Sequence, residues 1–321
     1  MLRTDSTAWD SPLVPERDRL LIQSASPTML NALDPNLSPE EKEGLLRLQF
    51  RNVTLRDAIA SGNATVNSTG NGSFWKLSTS RPIEAFKGLV MEAAFCRECA
   101  DNPFTAGRRV FAWCTGRGAW QVTDKQISLQ IPFITANKRL ESNPLTARFY
   151  DPASPYDLHF YSINEKGNAE LATEIGAGKG IIAGVQIKAI QGNERAEIID
   201  KLISGRYRRV VTMLRHKNGE HSHEVCVRLL LQMHARGDID GDQLADLLSR
   251  LSYPEFFGLS QQTIDSYSEW LNYAYMGLEV GEEDIFVMEA IGLEVASRLK
   301  SEASGIVMPD APQIILPPTV H

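Results

Sequence analysis

The chain has 321 residues, 43% hydrophobic and 23% charged, which is enough for one large domain or a few small ones with a full apolar core. Its net charge of −7 argues against a basic coat or histone-like binder. It does not exclude a nucleic-acid enzyme, because local basic strips decide contact with phosphate. The four cysteines, Cys96, Cys99, Cys114 and Cys226, do not make a secreted disulfide framework. The start M-L-R-T-D-S-T-A-W-D-S-P has no apolar signal core, and no apolar run reaches the roughly 18 residues of a membrane span. A cytoplasmic location with no membrane partner is therefore expected.

In chain order, residues 1–75 read as a helical N-terminal region and linker. Ser38-Pro39-Glu40-Glu41 is a helix start, with Ser38 as cap, Pro39 in the first turn and Glu41 as capping-box partner. The helix should run to about Ala60. The following S-G-N-A-T-V-N-S-T-G-N-G-S is turn and linker chemistry, and its N-x-[ST] matches at Asn63, Asn67 and Asn71 are read as part of that linker.

Residues 76–235 read as an α/β core. After Arg81-Pro82 a helix places Phe86, Leu89, Val90, Ala93 and Ala94 on one face. The segments R-V-F-A-W-C, A-W-Q-V-T and Q-I-S-L-Q-I-P-F look like strands, and Tyr156 to Tyr161 alternates like one. N-E-K-G-N and G-A-G-K-G mark turns. Gly180 to Ile190 gives the clearest strand, and a helix is expected from about Glu194 to Ser204. R-R-V-V-T-M-L reads as a strand, Asn218-Gly219 as a hairpin turn, and H-S-H-E-V-C-V-R-L-L-L as the returning strand. Residues 236–305 read as an acidic helical C-terminal region, and 306–321 as a Pro-rich tail.

Several motifs carry weaker chemistry. His221, His223 and Cys226 suggest a zinc set, but alternation sends Cys226 to the opposite face. Cys96 and Cys99 lack a second pair at zinc spacing and read as core thiols. Gly176 to Gly180 precedes a strand and lacks the phosphate-loop pattern. Asp238-x-Asp240-x-Asp242 has its glycine at the wrong position for a calcium loop and no terminal Glu, and reads as a helix cap.

The strongest constellation lies on two strands. Alternation puts Gln186 and Lys188 on one face of theirs, and Asp157 with His159 and Tyr161 on one face of the other. If the strands pair, Asp157 meets Gln186 and Lys188 at one end of the sheet. With Pro155-Tyr156-Asp157 as first half-motif, Gln186-Ile187-Lys188 as second, and R-Y-R-R-V-V-T after the next helix, the chain resembles the PD-(D/E)XK superfamily of nucleases. Gln186 stands where that family usually has an acid. The Q-x-K form occurs in Mrr-like restriction enzymes.

The resemblance implies a mixed central sheet flanked by helices, a restriction-endonuclease-like core, with helical N- and C-terminal regions. It implies a Mg²⁺- or Mn²⁺-dependent endonuclease that cuts DNA, in defence against foreign DNA. Asp157 would anchor the metal, Gln186 would complete the shell or orient water, and Lys188 would position the attacking water and steady phosphate charge. An amide is a weaker ligand than a carboxylate. Some family members take an acid from the first core helix, and Glu92, at the edge of that helix's apolar face, is the candidate here. Arg206, Arg208, Arg209, Arg215 and Lys217 are candidates for nucleic-acid contact, as are Arg108, Arg109 and Arg117. The C-terminal helices, with Trp270, Tyr273 and Tyr275, are expected to dock a second copy or a partner ATPase or helicase subunit. The alternative to an enzyme is an inactive nuclease-fold scaffold or interaction subunit.

Overall fold

Helix α1 (Pro39–Ala60) starts where its capping chemistry directs. Ser38 donates its backbone N–H to the Glu41 carboxylate at 2.8 Å, and Glu41 returns its own N–H to Ser38 Oγ at 3.2 Å. This reciprocal box satisfies two donors that the first helical turn leaves without partners. The computed structural model describes residues 37–62, 64–69, 74–176, 180–276, 291–295 and 298. The chain divides into two units, Met1–Asn52 with Gly281–His321, and Val53–Val280. In the first, Leu37, Leu45 and Val295 form a small core joined by Ile291, and Arg298 bonds Glu41.

In the second unit, part of the segment read as linker is a hairpin strand. Strand β1 (Thr65–Thr69) pairs antiparallel with β2 (Phe74–Ser78). The β-branched Thr65, Val66 and Thr69 suit an extended backbone, despite the polar neighbours that suggested a linker. Helix α2 (Ile83–Asp101) follows, with Phe86, Val90, Ala93 and Ala94 buried as the sequence pattern predicts.

Two strand expectations fail next. R-V-F-A-W-C lies in helix α3 (Arg108–Cys114), entered through a π-helical turn (Pro103–Gly107). Burial of Val110, Phe111, Ala112 and Cys114 overrides their β preference. A-W-Q-V-T holds a short turn of helix and then Thr123, which caps α4 (Asp124–Ile127). Only the end of Q-I-S-L-Q-I-P-F is extended, as β3 (Ile131–Ile134).

The sheet then builds from β4 (Leu158–Ile163), β5 (Ala169–Leu171), β6 (Gly184–Lys188), β7 (Val210–Thr212) and β8 (Leu251–Ser252). Its order is β3-β4-β6-β7-β8, with β5 also on β4. The first three are antiparallel neighbours, whereas β6, β7 and β8 run parallel. A helical segment, Arg195–Ile199 continuing into α5 (Asp200–Ile203), crosses from β6 to β7. The chain is thus mixed α/β, a six-stranded mixed sheet flanked by helices.

The expected return strand after Asn218-Gly219 is helix α6 (Ser222–Ala235). The turn itself forms, with His216 N–H donating to Glu220 O at 2.8 Å. His221 then caps the helix, and Glu224 reaches back to the His221 N–H at 2.9 Å. Cys226, Leu230 and Met233, spaced four and three apart, bury one stripe against Ile198, Ile199, Leu202 and Val210. Helix α7 (Gly241–Ser249) starts at Asp240, a cap as expected, with Gln243 N–H on its Oδ1 at 2.8 Å. Leu251 and Ser252 join the sheet as β8 inside a region expected to be all helix, because Val210 and Val211 offer them a buried parallel edge.

Helix α8 (Gln261–Met276) carries the three aromatic residues named for docking. Trp270 is buried and donates to Thr54 Oγ1 at 3.1 Å, and Tyr275 packs on Phe86 and donates to Arg81 O at 3.0 Å. Tyr273 is exposed. The acids Glu279, Glu282, Glu283, Asp284 and Glu289 lie outside the described residues, as do 177–179 of the expected G-A-G-K-G turn.

Candidate active site at the end of β4 and β6

Strands β4 and β6 pair antiparallel with Leu158↔Val185 and His159↔Gly184, and Asp157 stands immediately before β4. Alternation then gives His159, Gly184, Gln186 and Lys188 one face, and Leu158, Phe160, Val185 and Ile187 the other. The second face is apolar and buried, and Phe160 meets Phe111 of α3 edge-on at 5.4 Å. Helix α2 packs against β3 and β6 and carries Glu92.

The backbone of Asp157 is pinned from two sides. Its N–H donates to Val185 O at 3.0 Å, and its carbonyl accepts from Thr135 N–H at 2.9 Å. Its side chain is held as well. Oδ2 accepts from Gln186 Nε2 at 2.5 Å and from the backbone N–H of Ile187 at 2.6 Å. Parallel pairing commits the Gln186 N–H to Arg209 O and the Lys188 carbonyl to Met213 N–H, both on the β7 side. The N–H and carbonyl of Ile187 therefore face the β4 side, toward Asp157. The Gln186 amide gives its nitrogen to Asp157, and its oxygen takes no part in that bond.

Glu92, Asp157 and Lys188 act on one another electrostatically. Burial raises the Glu92 carboxyl well above the usual carboxylate range, the Asp157 charge raises it further, and Lys188 opposes both. Burial pushes Asp157 up to about 6, against the Ile187 N–H, Lys188 and Gln186, which favour its charged form. Two partly buried acids that resist ionising beside one lysine are a place where added positive charge is favourable. The donors fit a hard divalent cation. Mg²⁺ takes one or two carboxylates and keeps several waters. Glu92 and the Oδ1 of Asp157 could supply two carboxylate oxygens, and the Gln186 amide oxygen could be a further ligand. Among the described residues no group of three or more His, Cys, Asp or Glu side chains collects.

The Lys188 ammonium lies over the ring of Tyr207, 5.1 Å from its centroid. Tyr207 is buried in the core formed by α5, α6 and α7. Sequence reasoning passed over it, because an aromatic residue before a strand carries no motif. The only signal was its place in R-Y-R-R, just ahead of the strand that pairs with Q-x-K.

The basic residues named from the sequence do not form one cluster. Arg208 and Arg209 precede β7 and both bond the buried carboxylate of Glu174, with Arg209 also over the Trp113 ring. Arg215 and Lys217 follow β7, at the end where Lys188 aligns with Thr212. Arg215 pairs with Glu255 at 3.4 Å and Asp265 at 3.6 Å. Arg206 and Lys217 are exposed. Of the earlier arginines, Arg108 pairs with Asp124, Arg117 lies over Phe111, and Arg109 approaches Gly258.

The other motifs are absorbed by the fold. His221 accepts the His223 N–H at Nδ1 and meets Gln261 through Nε2, while Cys226 is buried in the core. Cys99 is buried, and burial pushes the Cys96 thiol up to about 12, so neither offers a ready thiolate.

No family model matches this chain, and neither does a curated protein or a solved structure. No described helix is long and apolar enough to cross a membrane.

Proposed function

We propose that the protein is a metal-dependent nuclease of the PD-(D/E)XK type, cutting DNA phosphodiester bonds with Mg²⁺ or Mn²⁺. The observation that carries this reading is the meeting of Asp157 with the Q-x-K strand through the 2.5 Å bond to Gln186, with Glu92 and Lys188 in electrostatic contact. The sheet supports it: β3, β4 and β6 are antiparallel neighbours and a helical crossover leads from β6 to β7, parallel to it, with α3 and α4 inserted between α2 and β3 and β5 between β4 and β6.

The roles follow from placement. Asp157 and Glu92 would hold the cation, and Gln186 would fix the Asp157 carboxylate and offer its amide oxygen. The metal, when bound, supplies Lewis-acid polarisation of the phosphate and a lowered pKa for water. Lys188 would steady charge on the attacked phosphate. The exposed Arg206 and Lys217 would contribute phosphate contacts, whereas Arg208, Arg209 and Arg215 already serve carboxylates. Service in defence against foreign DNA, with a second copy or partner ATPase, is the context this activity suggests.

The test is incubation with supercoiled plasmid, linear duplex, single-stranded DNA and RNA, each with Mg²⁺, Mn²⁺ or chelator. Metal-dependent product on DNA is expected. Absence of product on every substrate would overturn the reading and leave the scaffold alternative. Product on RNA alone would keep the site and change the substrate.

A further inference from the structure

A lysine that stabilises a reacting phosphate needs its ammonium held in place, and a four-carbon stem does not hold itself. Lys188 stands at the last position of β6, on the face it shares with Gln186. The Tyr207 ring meets its ammonium at 5.1 Å. That ring is fixed: Tyr207 is 6% exposed, its N–H donates to Lys201 O at 3.0 Å, and Arg250 Nη2 donates to its carbonyl at 2.6 Å. The same ring also has the Lys201 ammonium at 5.7 Å. Lys201, however, is occupied by Glu197 at 2.7 Å, so its charge is already compensated. For Lys188 no ion pair within 4.0 Å is found among the described residues; Asp157 and Glu92 attract its charge from farther off, and the aromatic face is in contact with it.

We propose that Tyr207 is a positioning residue, whose ring face holds the Lys188 ammonium in place at the end of β6. A cation over an aromatic face is attracted by the ring quadrupole, and the attraction grows when both are shielded from water. The phenol hydroxyl has no part in this. The ring is what matters, so Phe can substitute and an aliphatic residue cannot. The catalytic consequence rests on the nuclease reading, but the placement does not.

Two measurements separate these. The first is reductive ¹³C-methylation of lysines, which keeps the positive charge, followed by NMR. The Lys188 methyl signal is assigned by its loss in Lys188→Arg. It should be displaced upfield by the Tyr207 ring current, stay so in Tyr207→Phe, and return to the ordinary lysine position in Tyr207→Leu. A wild-type signal at the ordinary position, or one unmoved in Tyr207→Leu, would overturn the proposal even if the protein cleaves DNA. The second is the cleavage rate at saturating DNA. Tyr207→Phe should retain it, and Tyr207→Leu should lose about tenfold or more. Leu230→Ala, a cavity elsewhere in the same core, controls for destabilisation and should leave the rate unchanged. A wild-type rate in Tyr207→Leu would overturn the positioning role. If no variant and no wild-type sample cleaves, the nuclease reading fails while the NMR result still decides where the ring holds the lysine.

Discussion

At the scale of single residues, the site is a compromise between burial and charge. Asp157 accepts two hydrogen bonds at one oxygen, yet its carboxyl still sits at about 6 because burial outweighs them. A carboxyl whose folded pKa is raised makes the folded state bind more protons than the unfolded state. Its contribution to stability is therefore lost as pH rises, from the unfolded value near 4 through about 6. The cost at neutral pH is on the order of 3 kcal/mol. Relative to Asp157→Asn, the metal-free wild type should lose melting temperature between pH 4 and 7, and Mg²⁺ should restore part of it at pH 7.5 but not at pH 4.5. Parallel melting curves for the two proteins, with and without Mg²⁺, would show that the carboxyl is neither strained nor a cation ligand. The chemistry itself predicts that Asp157→Ala and Lys188→Ala each reduce the cleavage rate by about a hundredfold to a thousandfold, as for other electrostatic groups, with circular dichroism unchanged. Glu92→Gln should cost less, since Asp157 remains to anchor the metal.

At the scale of elements, what was legible in the sequence followed from how far a pattern reached. The β4 and β6 strands and the meeting of Asp157 with Gln186 were legible because two buried strands alternate over several residues. The His221–Val227 stretch alternated equally well, yet it is a helix start. The correct signal was the pair His221 and Glu224 at cap and third position, followed by Cys226, Leu230 and Met233 at helical spacing. A short window showed period two where a longer one shows 3.6. Arg109–Cys114 misled for the opposite reason, since its β-rich composition lost to burial among Phe111, Phe160 and Phe257. Tyr207 was illegible because its meeting with Lys188 depends on parallel pairing across a crossover. A network between elements was equally hidden. Arg97 of α2 pairs with Asp57 of α1 at 3.0 Å, and Tyr267 of α8 donates to the same carboxylate at 2.8 Å. Removing the carboxylate leaves a buried guanidinium with one partner, Glu98. Asp57→Ala should therefore cost about 3–5 kcal/mol in urea denaturation. A loss under about 1 kcal/mol would mean that this buried pair is not what joins the three helices.

At the scale of the whole molecule, a single site cuts one strand of a duplex at a time, so double-strand cleavage calls for two sites brought together. The expectation that the C-terminal helices supply this contact is narrowed by Trp270 and Tyr275, which serve the chain's own packing, leaving Tyr273 as the exposed aromatic of the three. If two copies associate, light scattering should return twice the 35.7 kDa chain mass, and plasmid should pass to linear form without a lasting nicked species. A monomer mass with accumulating nicked circles would remove the two-fold arrangement and keep the site. The measurement that reaches the central claim most directly is the single-turnover rate of plasmid cleavage in Mg²⁺, for wild type and Lys188→Ala purified side by side. Cleavage by the wild type that Lys188→Ala loses by a hundredfold or more, on the order of other electrostatic groups, is the predicted result. Equal rates in the two preparations, or no cleavage by either, would contradict a nuclease built on Asp157, Gln186 and Lys188.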